Sequence, residues 1–250
     1  MILLVDIGNS NVVFGFSNRK EIVKTFRFKT FTDKTSDEYY ILIKAMLDMY
    51  SINDVIISSV VPIVTSTLKK LFKEYFDIDA KILGPGIKTG IQLKVDDPKT
   101  VGADIICDCA GAMTLFDEAI IVDLGTASKY IYVKKNTFFG CSIAPGVAVS
   151  MKAMVASAAL LPNIELVTPK KVLGTSTIPC MQSGVVFGSA SMVDGMIDRI
   201  KEEINNKDIK IIATGGLAGL ITPLCKNEII HKPSLTIEGL LAIYNKNVEV

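Results

Sequence analysis

Tryptophan is absent from this chain, histidine occurs once, and no two cysteines form a C-x-x-C pair. The five cysteines, Cys107, Cys109, Cys141, Cys180 and Cys225, are odd in number and scattered, which excludes a disulfide framework. With only His231 to join them they offer no zinc-ligand spacing, so they read as buried, reduced thiols. His231, beside Lys232 and Pro233, reads as a surface loop residue. An excess of one charge is lacking too: 27 basic residues against 26 acidic give a net charge of +1. No basic cluster stands out, so no nucleic-acid partner is expected, and a phosphate-sized anion would have to be held by local geometry. No apolar run reaches the ~20 residues of a membrane span, since residues 147–161 are broken by Lys152, and no membrane partner is expected. The opening "MILLVDIGNS" carries no basic stretch and meets Asp6 too early for a signal peptide. A cytoplasmic protein is expected.

What is present is apolar sequence in short runs. Hydrophobic residues make up 49% of the 250 positions, enough for one large domain or two of about 120 residues each. The mean hydropathy of +0.40 hints at a buried subunit interface, and so at a homodimer. Residues 3–16, "LLVDIGNSNVVFGF", run four apolar residues into an aspartate and a polar turn before a second apolar run. Residues 119–133, "AIIVDLGTASKYIYV", repeat this 117 positions later, with Asp6 on Asp123, Gly8 on Gly125, Asn9 on Thr126 and Ser10 on Ala127.

The repetition continues. "EIVKTFRF" (21–28) and "TFFGCSIA" (137–144) are expected third strands after polar turns. "DVIISSVVP" (54–62) and "KIIATGGLA" (210–218) are β-branched runs entering small-residue turns. The 3–4 spacing of Leu68, Leu71, Phe72 and Phe76 predicts an amphipathic helix over 63–76, and residues 36–50 predict another, with Ser36 or Asp37 as N-cap. The plan is β-β-β-α-β-α-β-α stated twice, giving α/β domains at 1–116 and 117–250 with a cleft between them, a common place for a ligand.

A single aspartate at a strand end is usually a turn residue or helix cap. Two in equivalent positions, each followed closely by glycine, suggest paired hairpins whose turn N–H groups cradle phosphates while the carboxylates hold Mg²⁺ directly or through water. The segment 100–116, "TVGADIICDCAGAMTLF", predicts a further helix with Ile105, Cys109, Ala112 and Phe116 on one face and Asp104, Cys107, Asp108 and Gly111 opposite or flanking. Asp104 and Asp108, four apart, would repel by about 0.2–0.5 kcal/mol unless one has a partner. Two solvated helix aspartates are the alternative.

With these motifs in place, the chain resembles the acetate/sugar kinase, Hsp70 and actin superfamily: "DIGNSNVVFG" as phosphate-1, "DLGTAS" as phosphate-2 and "ATGGLAGLI" (213–221) as the adenosine motif. Within it the chain resembles type III pantothenate kinases nearly end to end, through "SSVVP" (58–62), "DDPKTVGAD" (96–104), "GCSIAPG" (140–146), "MQSGVVFG" (181–188), "TGGLA" (214–218) and "LTIEGLLAIYNKN" (235–247). The resemblance implies duplicated RNase H-like (actin-like ATPase) domains, a homodimer, and ATP-dependent phosphorylation of the terminal hydroxyl of pantothenate, the first step towards coenzyme A. It implies that Asp6, Ile7, Gly8, Asn9, Ser10, Asn11, Val12, Val13, Gly125, Thr126, Gly215 and Gly216 bind ATP. Gly102, Ala103, Asp104, Val95 and the residue at Ile105 would line the pantothenate site, Asp104 as proton acceptor, with Thr177 reaching in from the partner subunit. Asp6 would hold Mg²⁺, and Asp123 would sit at a site for K⁺ or NH₄⁺.

Three positions depart from the family pattern. Ile105 stands where G-A-D-R members have arginine, removing a directional contact to an acidic substrate. Val95 replaces an aromatic found in many members. Lys129 replaces a threonine of phosphate-2, and either points to solvent as a strand lysine commonly does or sets its ammonium at the cation site by Asp123. These departures favour two alternatives to a pantothenate kinase: a nucleotide-binding paralogue with lost activity and a regulatory role, or a kinase acting on an uncharged alcohol.

Overall fold

The computed structural model describes residues 1–248. The chain divides into two compact units, one formed by Met1–Leu115 with the described residues from Ser234 on, the other by Phe116–Pro233.

In the first unit, β1 (Ile2–Ile7), β2 (Asn11–Ser17) and β3 (Ile22–Lys29) form an antiparallel meander; α1 (Ser36–Leu47), β4 (Asp54–Ser59), α2 (Pro62–Phe76) and β5 (Lys81–Ile82) follow. The sheet runs β3-β2-β1-β4-β5, with β4 parallel to β1 and β5 parallel to β4. After β6 (Gln92–Leu93) comes α3 (Ala103–Met113), so the expected face residue Phe116 lies beyond the helix. Strand β1 alternates cleanly: Leu3, Val5 and Ile7 enter the core shared with α1 and α2, while Ile2 and Leu4 face Cys107, Ala110 and Leu240. Burial on both faces is why "ILLVDI" reads as an almost unbroken apolar run.

The last helix, α7 (Leu235–Asn247), packs on α3, β1, β2 and β4. The expected second domain of 117–250 is corrected here: residues from 234 onward belong with the first unit. The cause is apolar. Ile237, Leu240, Ile243 and Tyr244 fill the same core as Ile2, Leu4 and Ile56, and the Tyr244 hydroxyl donates to Asp54 Oδ2 at 2.8 Å.

The second unit repeats the meander as β7 (Glu118–Leu124), β8 (Ala127–Lys134) and β9 (Thr137–Pro145), then α4 (Val147–Ser157), α5 (Thr177–Glu203), β10 (Lys210–Thr214), α6 (Ala218–Ile221) and β11 (Ile230–His231). Its strands are ordered β9-β8-β7-β10-β11, with β10 parallel to β7 and β11 to β10, the same topology as the first sheet. The duplication is therefore structural. Its fixed offset is not. Asp6 pairs across its hairpin with Val13, but Asp123 pairs with Lys129, because four residues lie between Ile7 and Val12 and only three between Leu124 and Ser128. Beyond the turn Phe14 matches Tyr130 and Phe16 matches Tyr132, so Asn11, not Ser10, corresponds to Ala127.

Other local expectations change as well. Thr35, not Ser36 or Asp37, caps α1: its hydroxyl accepts from the Glu38 N–H at 3.3 Å while Glu38 Oε2 accepts from the Thr35 N–H at 2.9 Å, a reciprocal pair available only to a T-x-x-E spacing. His231 is exposed as expected but lies in β11, opposite Ala213. Cys107 and Cys109 are buried, whereas the expected burial does not hold for Cys141, in the middle of β9, or Cys180, in the first turn of α5, which are both exposed.

Candidate active site

In the first unit the site starts at the end of β1. Asp6 falls on the Ile2/Leu4 face, the one covered by α3 and α7, and stands opposite Ser58 of β4. The turn that follows is tied down at several points. The Gly8 N–H donates to the Asn11 carbonyl at 2.9 Å, the Thr30 hydroxyl donates to the Gly8 carbonyl at 2.6 Å, and the Thr30 N–H donates to the Ser10 carbonyl at 3.0 Å. Asn9 and Ser10 are left at the exposed tip. Ile7 and Val12 are fully buried, so only their backbones are available to a ligand.

Helix α3 points its N-terminus into the same region. Gly102 is its N-cap and Asp104 lies in its first turn, where the helix dipole favours a carboxylate; Oδ1 accepts from the Ile105 N–H at 2.9 Å. The Cys107 thiol reports the local field. Burial holds its pKa well above the ordinary thiol value, and the charges of Asp6, Asp108 and Asp104 add to the rise. Val60 links the strand end to the helix start: its N–H donates to the Ile7 carbonyl at 3.1 Å, and its Cγ1 lies 3.7 Å from a Cβ position on Gly102. Asp108, fully buried, is not a solvated helix aspartate: its Oδ1 accepts from the Thr236 hydroxyl at 2.6 Å.

A Cβ on Gly102 would overlap Asp104 Oδ1, with Val60 Cγ1 3.7 Å away on the other side. Gly102→Ala is expected to push the carboxylate out of position and lower kcat about a hundredfold, with little change in melting temperature. Steady-state kinetics beside a thermal melt checks both.

In the second unit the turn after β7 is closed by the Gly125 N–H donating to the Ala127 carbonyl at 3.1 Å, with Thr126 at its exposed tip. Two other segments dock on it. The Gly146 N–H, heading α4, donates to the Thr126 carbonyl at 3.2 Å, and the Leu217 N–H donates to the Leu124 carbonyl at 3.2 Å. Gly215, at φ +94°, is held so close that a Cβ would lie 2.6 Å from Asp123 Oδ1 and 2.5 Å from the Leu124 carbonyl carbon. Phosphate-2 and the adenosine motif thus form one cluster, with Gly216 exposed beside it.

Asp123 has an occupant on its other oxygen. Lys129 Nζ lies 2.6 Å from Oδ2, and the two side chains are only 10% and 13% exposed. The lysine is not solvated. Removing one partner of such a buried pair costs about 3–5 kcal/mol, since it strands the other charge. A magnesium ion, which keeps most of its waters and needs one or two carboxylates besides phosphates, fits the single carboxylate of Asp6. Asp123 does not fit a metal ion, because the ammonium already holds it. No group of three or more His, Cys, Asp or Glu side chains suited to a metal occurs among the described residues.

The remaining expected positions are dispersed. Val95 is half-buried in the segment after β6, Ala103 opens α3, and Ile105 is 6% exposed, its side chain withdrawn from solvent. Thr177 is exposed at the first residue of α5. Thr30 and Gly146 join the turns without being among the expected positions. Gly146 closes the "GCSIAPG" match and carried a signal; Thr30 acts through a contact 22 residues away and carried none.

The five-strand order shared by the two units, each with a strand-end aspartate and a short turn, defines a duplicated actin-like ATPase and sugar-kinase fold. The activator of the 2-hydroxyisocaproyl-CoA dehydratase from Clostridium difficile, solved with bound ADPNP, shares it at a TM-score of 0.52 with 13% identity, covering 100% of this chain and 98% of that one. Component A of the (R)-2-hydroxyglutaryl-CoA dehydratase of Acidaminococcus fermentans does so at 0.55 with 16% identity, over 97% and 96%. The family model for type III pantothenate kinase matches residues 2–199, and the type III pantothenate kinase of Acholeplasma laidlawii is 43% identical over 100% of both chains. The chain belongs to the type III pantothenate kinase family.

Proposed function

We infer that this protein transfers the γ-phosphoryl group of ATP to the terminal hydroxyl of pantothenate, making 4′-phosphopantothenate for coenzyme A synthesis. The observation that carries the reading is the link through Val60 between the end of β1, which bears Asp6, and the first turn of α3, which bears Asp104, in a chain matched to its family from end to end. Asp104 orients the hydroxyl and accepts its proton as the bond to phosphorus forms. A carboxylate is too weak a base to remove that proton beforehand, and in a loose transition state it need not, because positioning and charge neutralisation supply most of the catalysis. The turn amides near Gly8 and Gly125 bind the phosphates, while Gly215 and Gly216 let the backbone approach the nucleoside. Asp6 would hold magnesium, which neutralises phosphate charge when bound.

Incubation with Mg-ATP and pantothenate, followed by mass detection of phosphopantothenate, tests the reading; product from the wild type supports it. A second reading, an uncharged alcohol as acceptor, is favoured by Ile105, which offers no cation to a carboxylate. Product from such an alcohol alone would support it, and nucleotide binding without any product would support a regulatory paralogue.

The working form is a homodimer in the cytoplasm, with Thr177 completing the partner's pantothenate site. No helix among the described residues is long and apolar enough to cross a membrane. Apolar side chains are nevertheless exposed ahead of α5, Leu160 at 93% and Leu173 at 84%. Such surface favours association. Leu173→Glu is expected to weaken the dimer at least about tenfold in sedimentation equilibrium, one buried leucine being worth roughly 1.5–3 kcal/mol.

A further inference from the structure

We propose that Lys129 is a tethered replacement for a monovalent cation at the phosphate-2 turn, so that this chain binds nucleotide without K⁺ or NH₄⁺. The reasoning rests on reading that turn as a nucleotide-phosphate site, and it concerns a residue to which that reading gives no role.

The hairpin register supplies the first argument. Residues directly opposite each other in an antiparallel pair share a face, and the shorter second turn brings Lys129 opposite Asp123, where a turn one residue longer would bring Tyr130. In the first unit the same place opposite Asp6 is held by Val13. One copy of the duplicated hairpin therefore carries a cationic side chain opposite its aspartate and the other an apolar one.

Geometry supplies the second. The ammonium sits on Oδ2 at 2.6 Å, both side chains nearly buried, while Oδ1 faces the two turns, 3.5 Å from a Cβ position on Gly125 and 2.6 Å from one on Gly215. Asp123 is thus at the junction of the phosphate-2 and adenosine segments. Left uncompensated there, its charge would repel a polyphosphate. A lysine ammonium is a compact point charge with three donors, the chemical class of a bound NH₄⁺ or K⁺. A free cation would have to displace a short buried ion pair that is fixed to the neighbouring strand. The monovalent-cation site implied by the family resemblance does not fit this chain, and Lys129 is the reason.

The test uses the whole protein and a non-hydrolysable ATP analogue with Mg²⁺, titrated calorimetrically in choline, sodium, potassium or ammonium chloride at constant ionic strength, with thallium NMR as a direct reporter of a bound monovalent cation. The wild type is expected to bind with a Kd constant within about twofold across the salts and to give no thallium signal. Lys129→Thr is expected to bind about tenfold or more weakly in choline, to recover in potassium or ammonium, and to bind thallium. Lys129→Gln serves if the threonine variant does not fold, and the wild-type titration decides independently of either. Tightening of the wild type by K⁺ or NH₄⁺ overturns the proposal. So does a folded variant that is unaffected, or one that stays weak in every salt, which would make Lys129 a structural ion-pair partner alone. Because no arm needs pantothenate turnover, failure of the kinase assay with these binding results intact would remove the functional reading and leave this one standing.

Discussion

Asp104→Asn should lower kcat about a thousandfold while leaving the KM for ATP within about twofold and the melting temperature nearly unchanged. The side chain is half-buried in the first turn of α3 and accepts a hydrogen bond from the N–H of the next residue, which an asparagine oxygen can also accept. The substitution keeps shape and helix start but removes the proposed proton acceptor. Loss of kcat without loss of nucleotide affinity is the mark of an interaction made in the transition state. A variant retaining more than about a tenth of wild-type kcat would show that the carboxylate is not the acceptor. Gly102→Ala is its companion: the carboxylate is kept and displaced, so an intermediate loss is expected.

Gly239→Ala acts through packing. Its Cβ would overlap the Cys107 carbonyl oxygen and lie 2.7 Å from the Cys107 carbonyl carbon and 2.8 Å from the Gly111 nitrogen, all backbone of α3. Backbone atoms in a helix cannot rotate away as a side-chain tip can, so α7 must lift off α3. Overpacking of this kind costs about 3 kcal/mol. In a chain of this size that lowers the melting temperature by roughly 6–12 °C. Since α3 also carries Asp104, kcat should fall with it, and a thermal melt beside kinetics separates this variant from Asp104→Asn, which loses activity alone. An unchanged melting temperature would mean that the helix contact yields more easily than its geometry suggests.

Much of the fold was legible because its signals are local. The period-2 runs, the polar turns and the strand-end aspartates mark the meanders, and their repetition marks the duplication. Two kinds of feature escaped. The place of α7 depends on apolar faces meeting across more than a hundred residues, since Tyr244 bonds Asp54 and Thr236 bonds Asp108, and nothing within 235–247 announces it. The register slip was readable in principle. An alignment through Phe14/Tyr130 and Phe16/Tyr132 exposes the extra residue of the first turn, whereas one anchored on the aspartates alone carries the error forward and hides the pairing of Lys129 with Asp123. At the site, the burial of Asp108 and Ile105 comes from packing that no short motif encodes.

The return of α7 to the first unit also bears on how the chain is made. The second unit is continuous from Phe116 to Pro233, so it can close while the ribosome is still at work. The first lacks one of the two helices that seal this side of its sheet until 235–247 emerge, leaving Ile2, Leu4 and Ile56 with α3 as their only helical cover until then. Domains generally fold in the order in which they are synthesised; here the segment that begins synthesis first is the one that must wait, and chaperone binding to a stalled nascent chain should concentrate on the N-terminal half.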